Sequence, residues 1–148
     1  MTNRFAATLV AGMAIATFMA AGPGDSAVIT NSGSTNAYGY TIKVTPDGNA
    51  TVAMQARGAA PSAAKPFTVP STIITKFFAD LAAARKANLA GVPCMKSVSF
   101  GTTTHVTWQG WQSPDLDCPP SGDLGTALVN DVEAIRKASG VSSTPLMH

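Results

Sequence analysis

Histidine and cysteine each occur only twice in 148 residues, and charged side chains make up 12% of the chain. Those shortages remove several functions at once. Two cysteines with no C-x-x-C spacing, no adjacent histidine and no second pair give neither a thiol redox motif nor the ligand set of a structural zinc site. His105 and His148 are the only imidazoles, so acid–base chemistry near neutral pH has almost no carriers. A formal net charge of +2 supplies no basic stripe for phosphate neutralisation, which excludes nucleic acid as an expected partner. G-x-S-x-G is absent and both glycine-rich phosphate loops are missing, while the one S-x-x-K, Ser62 to Lys65, falls in an aperiodic connection with neither S-D-N nor K-T-G to accompany it. On these grounds neither a cofactor nor a metal is expected.

What is present begins at the N-terminus. Arg4 is the sole charge ahead of an apolar run over residues 5–21, which Gly22, Pro23 and Gly24 then interrupt. A short positive segment, an apolar run and small residues after it match a secretory signal peptide. Cleavage is expected after Ala27, with Ala21 the competing position and an uncleaved membrane anchor the alternative outcome. No second apolar stretch reaches spanning length, so the mature part is read as secreted or periplasmic with no membrane contact after cleavage. The chain divides on this reading into a signal peptide (1–27), a flexible lead segment (28–36), a single domain (37–140) and a tail (141–148). In an oxidising compartment Cys94 and Cys118 are expected to pair. Their bridge closes a loop of about 25 residues and contributes on the order of 3 kcal/mol in the chain-entropy account.

Periodicity sets the elements. Tyr38, Tyr40, Ile42 and Val44 alternate with Gly39, Thr41 and Lys43; after the turn residues Pro46, Asp47, Gly48 and Asn49, Ala50, Val52 and Met54 alternate again. This predicts a β-hairpin with one buried face. Residues 56–65 carry no period and read as an exposed connection. Ile74, Phe77, Phe78 and Leu81 fall at helical spacing after Pro70 and Ser71, with Arg85 and Lys86 in the last turn. Residues 95–113 are rich in Val, Thr, Phe and Trp and predict a second hairpin. Its turn is placed at Gln109 and Gly110, which pairs Trp108 with Trp111, in preference to a turn at residues 101–103; with either turn Phe100, Val106 and Trp108 are expected to share a face. Ser121 or Asp123 offers an N-cap for a second helix with Leu124, Leu128, Val132 and Ile135 inside and Gly140 at its end. The expected fold is α+β: a four-stranded antiparallel sheet with both helices on one face, in the order ββαββα, closed by one disulfide.

Three constellations remain as candidate chemistry. His105 lies on a predicted strand opposite Val106 and reads as a surface residue, or else as the centre of a small hydrolase with Asp115 or Asp117. Those two carboxylates flank Leu116 beside Cys118; without further oxygen ligands they are too few for calcium and read as loop caps. Trp108, Gln109, Trp111 and Gln112 gather both tryptophans at a hairpin tip, where an exposed indole beside amide side chains makes an anchor for a partner. The leading expectation is a non-catalytic binding or inhibitor module that meets an extracellular or periplasmic protein, or a small ligand, through residues 108–112 and the disulfide loop. The small hydrolase and an envelope structural protein are the alternatives.

Overall fold

The computed structural model describes residues 25–141. Within them the chain forms β1 (Ala27–Asn31), β2 (Gly39–Val44), β3 (Asn49–Gln55), β4 (Lys65–Thr68), α1 (Ser71–Lys86), β5 (Thr104–Trp108), β6 (Trp111–Gln112) and α2 (Asp123–Ala138). All six strands pair antiparallel in one sheet, ordered β4-β3-β2-β1-β5-β6. Strands β1 to β4 meander toward one edge, and α1 carries the chain back so that β5 can pair with the other side of β1.

The α+β class, the two helices, the antiparallel sheet and the Cys94–Cys118 bridge follow the sequence reading. The strand count does not: the sheet has six strands, and the order is ββββαββα. Two strands escaped the periodicity argument for different reasons. Residues 28–36 were expected to be a flexible lead segment, yet 28–31 belong to β1, held on one side by β2 and on the other by β5. β4 is only four residues long and contains Pro66, which is tolerated because β4 pairs on one side only, at the sheet edge. The signal-peptide reading falls mostly on residues 1–24, outside the described residues, as does the tail beyond residue 141.

Alternation explains the core. Ala27 and Ile29 of β1, Tyr40, Ile42 and Val44 of β2, Ala50 and Val52 of β3 and Val106 of β5 all point to one side, and they form one cluster with Ile74, Phe77, Leu81 and Ala84 of α1 and Leu128, Val132 and Ile135 of α2. The opposite parity, including Thr30, Thr41, Lys43, Thr51 and Thr107, is exposed. Where the helices meet, the Lys76 ammonium bridges Asp80 at 2.6 Å and Asp131 at 2.8 Å. Asp131 is buried between them, and the loss of water pushes its carboxyl up from the usual range.

Helix ends depart from expectation in one place. Gly122, with φ of 88°, is the N-cap of α2, so neither Ser121 nor Asp123 caps it; Asp123 instead stands in the first turn, where its charge suits the helix dipole. Gly140 does end α2 in the left-handed region, at φ of 72°. Gly125 has a packing reason to be glycine: a Cβ there would lie 2.3 Å from the Pro120 carbonyl oxygen. Helix propensity alone favours alanine by about 1 kcal/mol. Gly125→Ala is therefore expected to lower stability by roughly 1–3 kcal/mol, since the clash meets backbone that cannot yield cheaply; a thermal melt with an unchanged or raised midpoint would show that the close approach is not constraining.

Candidate functional site

The segment between α1 and β5 is where the chain leaves its core. α1 stops because Asn88 enters the left-handed region at φ of 48°, and the Leu89 amide then donates to the Ala84 carbonyl at 3.0 Å. Leu89 packs on the core, but residues 90–100 are exposed without a break and 91–97 form neither helix nor turn. The less favoured hairpin register, with its turn at residues 101–103, would put a strand containing Val98 and Phe100 over part of this stretch. That strand does not form: the hairpin is β5–β6, with Trp108 opposite Trp111 as expected, and the turn residues Gln109 and Gly110 both take positive φ, at 48° and 75°. Val106 is buried and Trp108 half-buried, whereas Phe100 is outside the sheet and does not share their face.

An unpaired stretch of this length keeps one conformation only if something ties it down. Residues 113–118 do so. The Ser113 amide donates to the Val106 carbonyl at 2.8 Å and the Leu116 amide to the Thr104 carbonyl at 2.8 Å, so the segment runs on alongside β5 past the end of β6. Leu116 and Cys118 are buried and fix it from below. Cys118 then holds Cys94 through the disulfide, with their Cα atoms 5.5 Å apart. Asp115 takes the Lys96 ammonium and accepts from the amides of Thr104 at 3.1 Å and Asp117 at 3.0 Å. Lys96 also donates to the Thr102 carbonyl. Asp117 accepts from the hydroxyls of Thr102 and Thr104, the latter at 2.8 Å. Asp115 caps its own loop through the Asp117 amide, as expected, and both carboxylates also brace residues 96–104.

The loop carries the apolar surface. Of the five large hydrophobic side chains that the fold exposes among the described residues, four are Val92, Met95, Val98 and Phe100, and Tyr38 is the fifth. Met95 at 101% and Val98 at 97% touch almost nothing of their own chain. Phe100 forms a lip of a neighbouring cleft of about 510 Å³, whose wall includes Tyr38, Tyr40, Asp117 and Arg136. Burial raises the Tyr40 phenol to about 12, so it stays protonated at any physiological pH. The Arg136 guanidinium is already engaged by Glu133 at 2.7 Å and by the Val141 carbonyl at 2.6 Å.

The residues singled out for binding have other company. Trp108 stacks edge-on with Phe78 at 5.8 Å between ring centroids, lies under the Arg85 guanidinium and donates to the Asp25 carbonyl at 3.3 Å. Trp111 is half-buried against the core, while Gln109 and Gln112 are exposed. This turn and the disulfide loop stand at opposite ends of β5, about 14 Å apart at the rise of a strand. His105 is half-buried, and its Nδ1 is 2.9 Å from the Ser113 carbonyl oxygen. Among the described residues no group of three or more His, Cys, Asp or Glu is placed to hold a metal ion, and no helix is long and apolar enough to cross a membrane. Compared with protein-family models, with curated proteins and with solved structures, the chain matches none.

Burial pushes the Asp115 carboxyl up, but the Lys96 ammonium and the amides of Thr104 and Asp117 outweigh it and leave the group below its ordinary value. A lowered folded pKa means stabilisation that is complete above the unfolded carboxylate value of about 3.9 and is lost as pH falls through the folded value. Acid titration followed by NMR is expected to release the Thr104 and Asp117 amides, with loss of their exchange protection only once pH has fallen below the ordinary carboxylate value of about 3.9. Asp115→Ala, which removes the accepting oxygen, should show that loss already at neutral pH. Unchanged protection of both amides in Asp115→Ala would remove the brace.

Proposed function

We propose that this chain is an exported, non-catalytic binding module of the inhibitor type, and that it meets an extracellular or periplasmic protein through the disulfide-braced loop at residues 90–100. The observation that carries this reading is the concentration of exposed apolar side chains on one tethered segment. A buried hydrophobe stabilises the fold, but Met95 and Val98 do nothing for it, and leaving them in water costs solubility. Such side chains gain free energy only when a partner covers them. Tethering lowers the ordering cost of that step, because the loop is already held when the partner arrives.

Less supports the alternatives. For a hydrolase built on His105, a carboxylate must reach the imidazole directly or through one water; Asp115 and Asp117 are both engaged with Lys96, Thr102 and Thr104 instead. The Trp108–Gln112 turn keeps a claim through its two exposed glutamines, although its indoles already pack on this chain. A direct comparison separates loop from turn. Affinity capture from cognate extracellular medium or periplasmic extract should recover the same partner with the parent chain and with Gln109→Ala/Gln112→Ala, and lose it with Met95→Asp/Val98→Asp. The opposite pattern transfers the binding surface to the turn.

Export is part of the proposal, and the fold bears on where the leader ends. Ala27 has no exposed surface and pairs with Val44, and Asp25 accepts from the Trp108 indole. Cutting after Ala27 would remove both, whereas cutting after Ala21 spares them. N-terminal sequencing of the exported chain is expected to start at Gly22; a start at Val28 contradicts the fold argument.

A further inference from the structure

The loop has a more specific geometry than an apolar patch needs. Met95 is fully exposed, and the residues on either side of it are both fastened to the same short segment: Cys94 by the disulfide to Cys118, Lys96 by its ammonium to Asp115. The Lys96 side chain is drawn in to 25% exposure by this contact and by the Thr102 carbonyl and the Thr103 hydroxyl. Immediately beyond, the Gly101 amide closes a turn onto the Ser97 carbonyl at 2.7 Å, and a Cβ on Gly101 would lie 2.5 Å from that oxygen. One side chain therefore projects from backbone that is free of helix or turn and clamped before and after it.

Building on the binding reading above, we infer that the partner is a serine endopeptidase with an apolar primary-specificity pocket, and that Met95 enters this pocket with Met95–Lys96 as the bond presented for cleavage. Endopeptidase clefts are concave and take substrates as extended segments, which matches an exposed segment without internal backbone pairing. The unbranched thioether of methionine adapts to an apolar pocket. Lysine does not compete for the pocket, since its ammonium is already held by Asp115.

The same two tethers explain inhibition in place of digestion. In acyl transfer the enzyme's serine oxygen bonds to the Met95 carbonyl carbon, the bond from that carbon to the Lys96 nitrogen breaks, and the serine proton leaves with the new Lys96 amine. In an ordinary substrate that amine diffuses away. Here Met95 stays attached through Cys94 to Cys118 and the amine stays attached through Lys96 to Asp115, three residues away on one rigid segment. The amine is held beside the ester at high effective concentration, so it re-forms the peptide bond and returns the proton to serine before water intervenes.

The test is inhibition of chymotrypsin and subtilisin, each assayed with a chromogenic peptide against the full chain, with trypsin as the control for a basic pocket. Competitive inhibition of chymotrypsin or subtilisin is expected, weakened about 100-fold or more by Met95→Asp. Circular dichroism and the melting temperature of that variant should match the parent, because Met95 contacts little of the fold. Long incubation should convert a fraction of the chain to a form that separates, after reduction, into two pieces divided between Met95 and Lys96. Cys94→Ser/Cys118→Ser should be cut faster and released. Absence of inhibition of both enzymes, inhibition indifferent to Met95→Asp, or inhibition confined to trypsin overturns the assignment. If the loop variant still loses its partner in affinity capture, the binding reading survives that failure.

Discussion

The molecule is joined at β1. Strands β2, β3 and β4 form one antiparallel meander and β5 with β6 another, and only β1 hydrogen-bonds to both. Ile29 lies at the centre of that joint, opposite Ile42 on one side and Val106 on the other, and none of the three has exposed surface. A strand in this position is buried on one face and paired on both edges, so its removal would leave two small sheets, each with a new unpaired edge. The helices alone would not compensate, since their buried stripes converge on the side chains that β1 brings together.

The loop depends on the same joint through the end of β1. Asn31 donates to the Thr104 hydroxyl at 2.8 Å, and Ser32 exchanges bonds with Thr103, its amide to the carbonyl at 2.9 Å and its hydroxyl accepting from the amide at 3.0 Å. Thr104 passes its own hydroxyl on to Asp117. A continuous path of hydrogen bonds thus runs from the sheet centre to the segment that holds the loop. None of these bonds alone is large, at about 0.5–1.5 kcal/mol net for a neutral pair. The covalent bridge contributes more, about 3.5 kcal/mol for a loop of this length in the chain-entropy account. The disulfide holds the loop near the scaffold, and the polar network selects one conformation for it.

Much of the scaffold was legible because its period is strict. Tyr40, Ile42, Val44, Ala50 and Val52 alternate without fault, and Phe77, Leu81, Leu128, Val132 and Ile135 keep helical spacing, so the first hairpin and both helices could be placed from side-chain order alone. The turn at Gln109 and Gly110 was equally readable. β1 was not, because Ala27–Asn31 has only two buried positions and adjoins an apolar run that a leader explains well. The candidate site was hidden for a related reason. Met95, Val98 and Phe100 have the composition of strand residues, and composition cannot tell a side chain that packs inward from one that stays exposed. Cys94 carried the usable signal: a half-cystine beside residues of β composition, between Pro93 and Gly101, marks a segment held covalently where pairing would otherwise hold it.

That distinction bears on what the loop can do. A hairpin strand over residues 95–103 would place its carbonyls and amides in a ladder and make them inaccessible to an enzyme's cleft. A free loop would offer them but be cut and released, as flexible exposed segments usually are. Residues 94–96 fall between these limits: their backbone is outside any ladder, yet both ends are fixed to the segment at 115–118. Under the proposal above, exposure gives recognition, and fixation withholds the separation of ends that makes cleavage irreversible.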